Sequence, residues 1–144
     1  MSDLCDKTAV ELRRMIGRKD ISPVELLDSC ITRIEATDSA LNAVITRSFD
    51  RARDEAIVAE KAVLNGKELG LLHGLPVGIK DLEATSGIRT TLGSALYADH
   101  IPTKDQGSVA NIRAEGGIII GKTNTPEFGA GANTRNLVFG ATGN

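Results

Sequence analysis

Two short apolar runs, Pro76-Val77-Gly78-Ile79-Lys80 and Ile118-Ile119-Ile120, stand one helix-length segment apart, and this spacing restricts the fold more than any other feature of the chain. The second run is entirely β-branched and has glycine on both sides, the pattern of a short strand buried on both faces. Between the runs, Asp105 to Glu115 reads as a helix stopped by Gly116-Gly117. A helix joining two buried strands implies a βαβ-like crossover, and with it a partly parallel sheet. Two strands make a poor sheet, because apolar edges want neighbours, and the chain offers few other good strand candidates.

Upstream the hydrophobic period changes from two to about 3.6. Thr8 to Arg18 reads as a short helix. Ser22-Pro23-Val24-Glu25 is a strong start signal: Ser22 can cap first-turn amides, Pro23 suits the first helical position, and Glu25 completes a capping box. That helix is expected to run to about Ala36, with Val24, Leu27, Ile31 and Ile34 on one face. Another helix is expected from about Phe49 to Leu64, with Phe49, Ala52, Ala56, Ala59 and Val63 as its buried stripe and Asn65-Gly66 as its stop. The whole chain, 1–144, therefore reads as a single portion of one α/β domain. Residues 1–66 are mainly helical, and residues 74–144 carry strands, one helix and Gly-rich loops. The expected fold class is α/β, with N-terminal helices followed by part of a mixed, helix-flanked sheet.

Composition removes several classes of function. Hydrophobic residues make up 41% and charged residues 25% of the 144, and 17 Lys+Arg against 19 Asp+Glu give a net charge of -2. A mildly acidic chain with no basic tract has no electrostatic footprint for nucleic acid or an anionic membrane. No segment has the length and apolarity of a membrane span, and the N-terminus lacks a basic region followed by an apolar stretch, so the expected location is cytoplasmic. Cys5 and Cys30 show no CxxC spacing and read as reduced thiols rather than a disulfide framework or a zinc site.

Gly116 to Thr123 satisfies the P-loop expression GxxxxGK[ST], but its context opposes that reading. A P-loop needs a strand before the first glycine, a flexible loop between the glycines and a helix opening at the lysine. Here a helix precedes, three isoleucines intervene, and Pro126 soon follows. His73 and His100 lie in no HxxxH, HxH or triad-like pattern, so neither a metal nor a cofactor is expected.

Lys80 is the chemically informative position. An ammonium at the end of an apolar strand must reach solvent, find a counter-charge, or lose its proton at a depressed pKa. On a strand, Gly78 and Lys80 share one face while Val77, Ile79 and Asp81 share the other, so Asp81 is badly placed to neutralise its neighbour. Gly78 leaves room beside Lys80 for another segment or a ligand. A snorkelling strand-end lysine and a functional lysine both remain open on these grounds.

Three blocks, Gly74-Leu75-Pro76-Val77-Gly78-Ile79-Lys80-Asp81, Gly121-Lys122-Thr123-Asn124-Thr125-Pro126-Glu127-Phe128 and Phe139-Gly140-Ala141-Thr142-Gly143-Asn144, resemble in order three blocks of the amidase signature family. The Ser22-Pro23-Val24-Glu25-Leu26 helix start and the Leu41-Asn42-Ala43 stretch are similar to its N-terminal region. The resemblance implies a mixed sheet flanked by helices. It also implies hydrolysis of amide carbon–nitrogen bonds, or passage of the released ammonia, by a Ser-cisSer-Lys triad.

Lys80 matches the family's catalytic lysine, which would be neutral at working pH and take a proton relayed from the nucleophilic serine. Gly129 and Ala130 match a segment beside the family's substrate pocket and are candidates for lining it; backbone requirements alone would explain them equally well. The Gly-Ser-rich stretch carrying the cis serine, and the later nucleophile, are not among the 144 residues, and Ser86, Ser94 and Ser108 sit in no matching motif. The expectation is thus an N-terminal amidase fragment that retains the relay lysine and is inactive alone. Its partners would be a small-molecule amide and either the missing C-terminal part or a second copy. The alternative is a non-catalytic interaction or assembly module derived from an amidase. The resemblance covers general amidases and the ammonia-producing subunit of tRNA-dependent amidotransferases alike.

Overall fold

The computed structural model describes residues 3–143; Met1, Ser2 and Asn144, the last residue of the third matched block, lie outside the described residues. The helical elements are α1 (Ala9–Arg18), α2 (Pro23–Leu41), α3 (Phe49–Leu64) and α4 (Gly107–Ala114). The main strands are β1 (Val44–Arg47), β2 (Pro76–Lys80) and β3 (Ile118–Thr123), and a small two-stranded ribbon joins β4 (Arg135–Asn136) to β5 (Gly140–Ala141).

Local chemistry explains where the helices begin. Thr8 and Ser22 each accept from the amide three residues on while Glu11 and Glu25 return the bond to the cap amide, and Pro23 opens α2. Each such box satisfies donors that the first helical turn leaves unpaired and contributes about 1 kcal/mol. α2 runs past the expected end at Ala36 to Leu41, where Asn42 adopts the left-handed conformation that terminates it. α4 is shorter than expected, because Asp105 lies outside it and holds the Ser86 amide and the Arg113 guanidinium.

The three-stranded sheet has the order β1-β3-β2, with β2 parallel and β1 antiparallel to β3. The crossover through α4 and the mixed sheet agree with the sequence pattern. β1 is an addition to it: Val44-Ile45-Thr46-Arg47 is short and only half-buried, yet it covers an edge of β3 that would otherwise be bare. Gly121 permits that pairing, since a Cβ there would run into the Thr46 carbonyl oxygen. β3 extends through Gly121 and Lys122 to Thr123, so the segment matching the P-loop expression is strand rather than loop.

Helices cover both faces of the sheet. Ile118 and Ile120 pack with Leu27 and Ile31 of α2 and Ala52, Ala56 and Ala59 of α3. On the other side Ile119 joins Ile79, Ile88 and Val109 of α4. The alanine stripe lets α3 approach α2 and β3 closely. A third cluster, Leu12, Ile16, Leu26, Val63 and Leu75, fastens α1 to the end of the α2–α3 pair. At roughly 1.5–3 kcal/mol for each fully buried aliphatic side chain, these clusters supply the dominant stabilisation.

Candidate active site

β2 alternates as its sequence requires. Gly78 and Lys80 are exposed while Ile79 and Asp81 are buried, so Lys80 projects from the C-terminal end of a parallel strand on the side opposite Asp81. Its backbone is held on both sides: Asp81 N donates to Thr123 O at 2.9 Å, and Glu83 N donates to Lys80 O at 3.0 Å. The side chain is open to solvent, so the apolar enclosure that its strand suggests is not supplied by the described residues.

The enclosed lysine is Lys122, with no exposed surface. Its Nζ donates to Glu83 O (2.5 Å), Thr85 Oγ1 (2.9 Å) and Thr90 Oγ1 (2.8 Å) and lies 4.0 Å from Asp81 Oδ1. Burial lowers its pKa to about 8, against the opposing pull of Asp81. Burial likewise raises the Asp81 carboxyl, partly offset by the Thr91 hydroxyl and amide that donate to it. A perturbed lysine is often a functional one. Lys122, however, spends all three of its donors on fixed oxygens and reaches no solvent, so it cannot meet a substrate. It closes the 81–92 loop over the strand ends. In the sequence it falls within the failed P-loop match and the second matched block, neither of which gives it a role; a cation within a run of buried strand residues is the signal it carries.

A chain of backbone bonds connects this loop to the second matched block. Leu92 N donates to Asp81 O (3.0 Å), and Phe128 N donates to Leu92 O (2.8 Å). Leu92 and Phe128 both have positive φ, 57° and 51°. Non-glycine residues held there carry local strain, which concentrates at functional sites. Gly129 (φ 73°) follows, and a Cβ on it would lie 2.7 Å from Leu82 Cδ1. The fold therefore brings Gly129 against a residue two positions beyond Lys80. Ala130 is exposed at the end of the same 3-10 turn, Glu127–Gly129.

Asn136 ties the third block to the second: its Nδ2 donates to Asn124 Oδ1 (2.7 Å) and Thr125 O (2.8 Å), and its Oδ1 accepts from the Val138 and Phe139 amides. The serines outside the matched motifs are engaged locally. Ser86 Oγ donates to Thr103 O, Ser94 Oγ caps the Leu96 amide, and Ser108 Oγ donates to Glu83 Oε2. His73 pairs its Nε2 with Ala59 O, and His100 packs edge-on against Tyr97.

The sheet thus presents a solvent-open lysine at the C-terminal end of a parallel strand, with the positive-φ residues Leu92, Phe128 and Gly129 in the turns that follow the strand ends. Comparison with known proteins gives the family. A family profile described as Amidase matches residues 25–144, and the chain belongs to that family. It is 38% identical over 142 residues to a glutamyl-tRNA(Gln) amidotransferase subunit of Geotalea daltonii and 40% identical over 142 residues to its counterpart in Geobacter sulfurreducens, covering 99% of this chain and 29% of each relative. Among solved structures, a bacterial aryl acylamidase of the amidase signature family superposes with a TM-score of 0.91 at 34% identity, over 96% of this chain and 29% of that one. The chain thus spans under a third of the length of the relatives it matches. Among the described residues, no helix is long and apolar enough to cross a membrane.

Proposed function

We propose that these residues form the N-terminal part of an amidase that cleaves carbon–nitrogen bonds of small amides, with Lys80 as the relay base. The observation that carries this reading is the split between the two lysines: Lys122 is locked, and Lys80, in the family's first block, is free to face a substrate. In the proposed reaction a serine supplied by the remainder of an amidase attacks the amide carbon. Its proton passes through a second serine to the Lys80 amine, and later returns to the departing nitrogen, which leaves as ammonia or an amine. Gly129 and Ala130 line the pocket, where small side chains leave room. The relatives named as amidotransferase subunits suggest a carboxamide whose ammonia is passed to an acceptor. The aryl acylamidase suggests release to water. Cleavage of the amide bond is common to both.

The test is a graft of residues 1–144 in place of the matching 29% of the Geotalea daltonii relative, assayed for ammonia release, with Lys80→Ala made in the graft. The graft should be active, and the substitution should lower turnover by roughly 10²–10⁴-fold. A Lys80→Ala graft as active as its parent would remove Lys80 from the mechanism. The isolated 144-residue chain should release no ammonia from simple amides, because a triad without its nucleophile loses most of its acceleration.

A further inference from the structure

The two cysteines, 25 residues apart and with no sequence motif, face each other. Cys5 Sγ lies 3.9 Å from Cys30 Sγ, and Cys5 Sγ is 3.5 Å from Ser29 Oγ. Cys5 sits on a three-residue 3-10 turn, Leu4–Asp6, that has no buried residue; Cys30 sits within α2. The turn is pinned at this spot. Asp3 accepts from the Cys5 amide (3.0 Å) and from Ser29 Oγ (3.0 Å), and Arg33 bridges Asp3 (2.6 Å) and Asp6 (3.1 Å). Both thiols are half-buried and free.

We propose that Cys5 and Cys30 form an oxidation site that hydrogen peroxide converts to an intramolecular disulfide, stapling the N-terminal turn to α2. A disulfide needs the sulfurs to close to about 2.05 Å. The remaining gap, under about 2 Å, is within reach of two side-chain rotations and a small shift of a three-residue turn that has no fully buried residue.

The order of events follows from burial. The Cys30 thiol is pushed up to about 12, chiefly by burial and then by the charges of Cys5 and Asp3, so it is a poor first nucleophile. Cys5 therefore reacts first. Its sulfur attacks the peroxide, the O–O bond breaks, and the Cys5 thiol becomes a sulfenic acid with release of one water. Cys30 then attacks the Cys5 sulfur. The S–O bond breaks and the hydroxide leaves as a second water carrying the Cys30 proton. Overall the two thiols lose two electrons and two protons, and one peroxide is reduced to two waters. The product closes a covalent ring around α1 and the α1–α2 connection.

The experiment uses the full 144-residue chain, fully reduced, treated with a few equivalents of hydrogen peroxide, blocked with N-ethylmaleimide, and read by intact mass and non-reducing peptide mapping. The expected product has lost two hydrogens, is monomeric, yields one Cys5–Cys30 cross-linked peptide, and reverts with dithiothreitol. Its melting temperature should exceed that of the reduced chain by about 5–10 °C. In Cys30→Ser, the Cys5 sulfenic acid should persist long enough to be trapped by dimedone. Three results would each overturn the proposal: Cys5 over-oxidised to sulfinic acid with Cys30 still alkylated, disulfide-linked dimers in place of the internal bridge, or both thiols fully alkylated after peroxide.

Discussion

Lys122 Nζ and Asp81 Oδ1 lie 4.0 Å apart in the interior, and neither depends chiefly on the other: the ammonium donates to three neutral oxygens and the carboxylate accepts from Thr91. The pair is thus a loose ion contact within a tight hydrogen-bond cage. That cage fixes the 81–92 loop, and the loop fixes both the strand end at Lys80 and the turn at Phe128.

Lys122→Met should be costly and pH-sensitive. Removing one member of a buried charged pair, with its oxygens left unpaired, destabilises by roughly 3–5 kcal/mol at pH 7. In the wild type the folded pKa is about 8, below the ordinary 10.5. Below pH 8 both states hold the proton and the folded state carries the full burial penalty. Between about 8 and 10.5 the unfolded state binds more protons, so stability rises with pH. The gap between wild type and Lys122→Met, read by urea unfolding, should widen by roughly 2–3 kcal/mol across that window. Titration of Cys30 acts on both chains alike and cancels in the difference. A gap independent of pH would show that Lys122 is not enclosed as described.

Lys80→Ala should leave the fold alone. Lys80 is exposed, and among the described residues its side chain makes no hydrogen bond or ion pair, so the urea midpoint should move by no more than about 0.5 kcal/mol in stability. Loss of turnover in the graft together with an unchanged midpoint in the chain would separate a chemical role from a structural one.

Gly129 and Ala130 should respond differently to added bulk. Gly129→Ala must hold a Cβ at φ 73° beside Leu82 and should cost about 1–2 kcal/mol by denaturation. Ala130→Leu adds its bulk at an exposed position and should be nearly neutral in stability. In the active graft it should raise KM roughly tenfold while leaving kcat within a small factor, as expected when a pocket wall is filled. An unchanged KM would take Ala130 out of the pocket.

Asn136→Ala should loosen the third block. The side chain satisfies four partners from a buried position, two of them amides of the Val138–Phe139 turn. Orphaning them should cost about 2–3 kcal/mol. Hydrogen exchange should localise the effect, with the Val138 and Phe139 amides losing protection before those of β3.

Local signals suffice wherever the deciding chemistry is local. The Ser22–Glu25 capping box, the Phe49–Leu64 alanine stripe and the Ile118–Ile120 run each specify an element from residues within a turn or two, and the structure has all three. α2 overruns its expected end because Asp38, near its C-terminus, is buried by accepting the Ala43 and Val44 amides. That contact ties the helix end to β1 and is invisible to a periodicity argument. β1 itself escapes the sequence pattern because four residues, three half-buried and Arg47 exposed, carry too little of it; its stability comes from the β3 edge it covers.

By itself the sequence determined the helices, the parallel crossover, the family blocks and the placing of Lys80 at the end of an apolar strand. Only the tertiary structure decided which lysine is enclosed. Lys80 and Lys122 both sit in apolar strands, and strand pattern assigns each a side of the sheet without saying what covers it. The cover comes from residues 83 to 90, folded back over Lys122 and away from Lys80. The same holds for Cys5 and Cys30, whose contact is made by a turn docking on a helix that begins well beyond it in the chain. Burial and proximity are properties of pairs of distant segments, so a reading along one chain could place the lysine but not its surroundings.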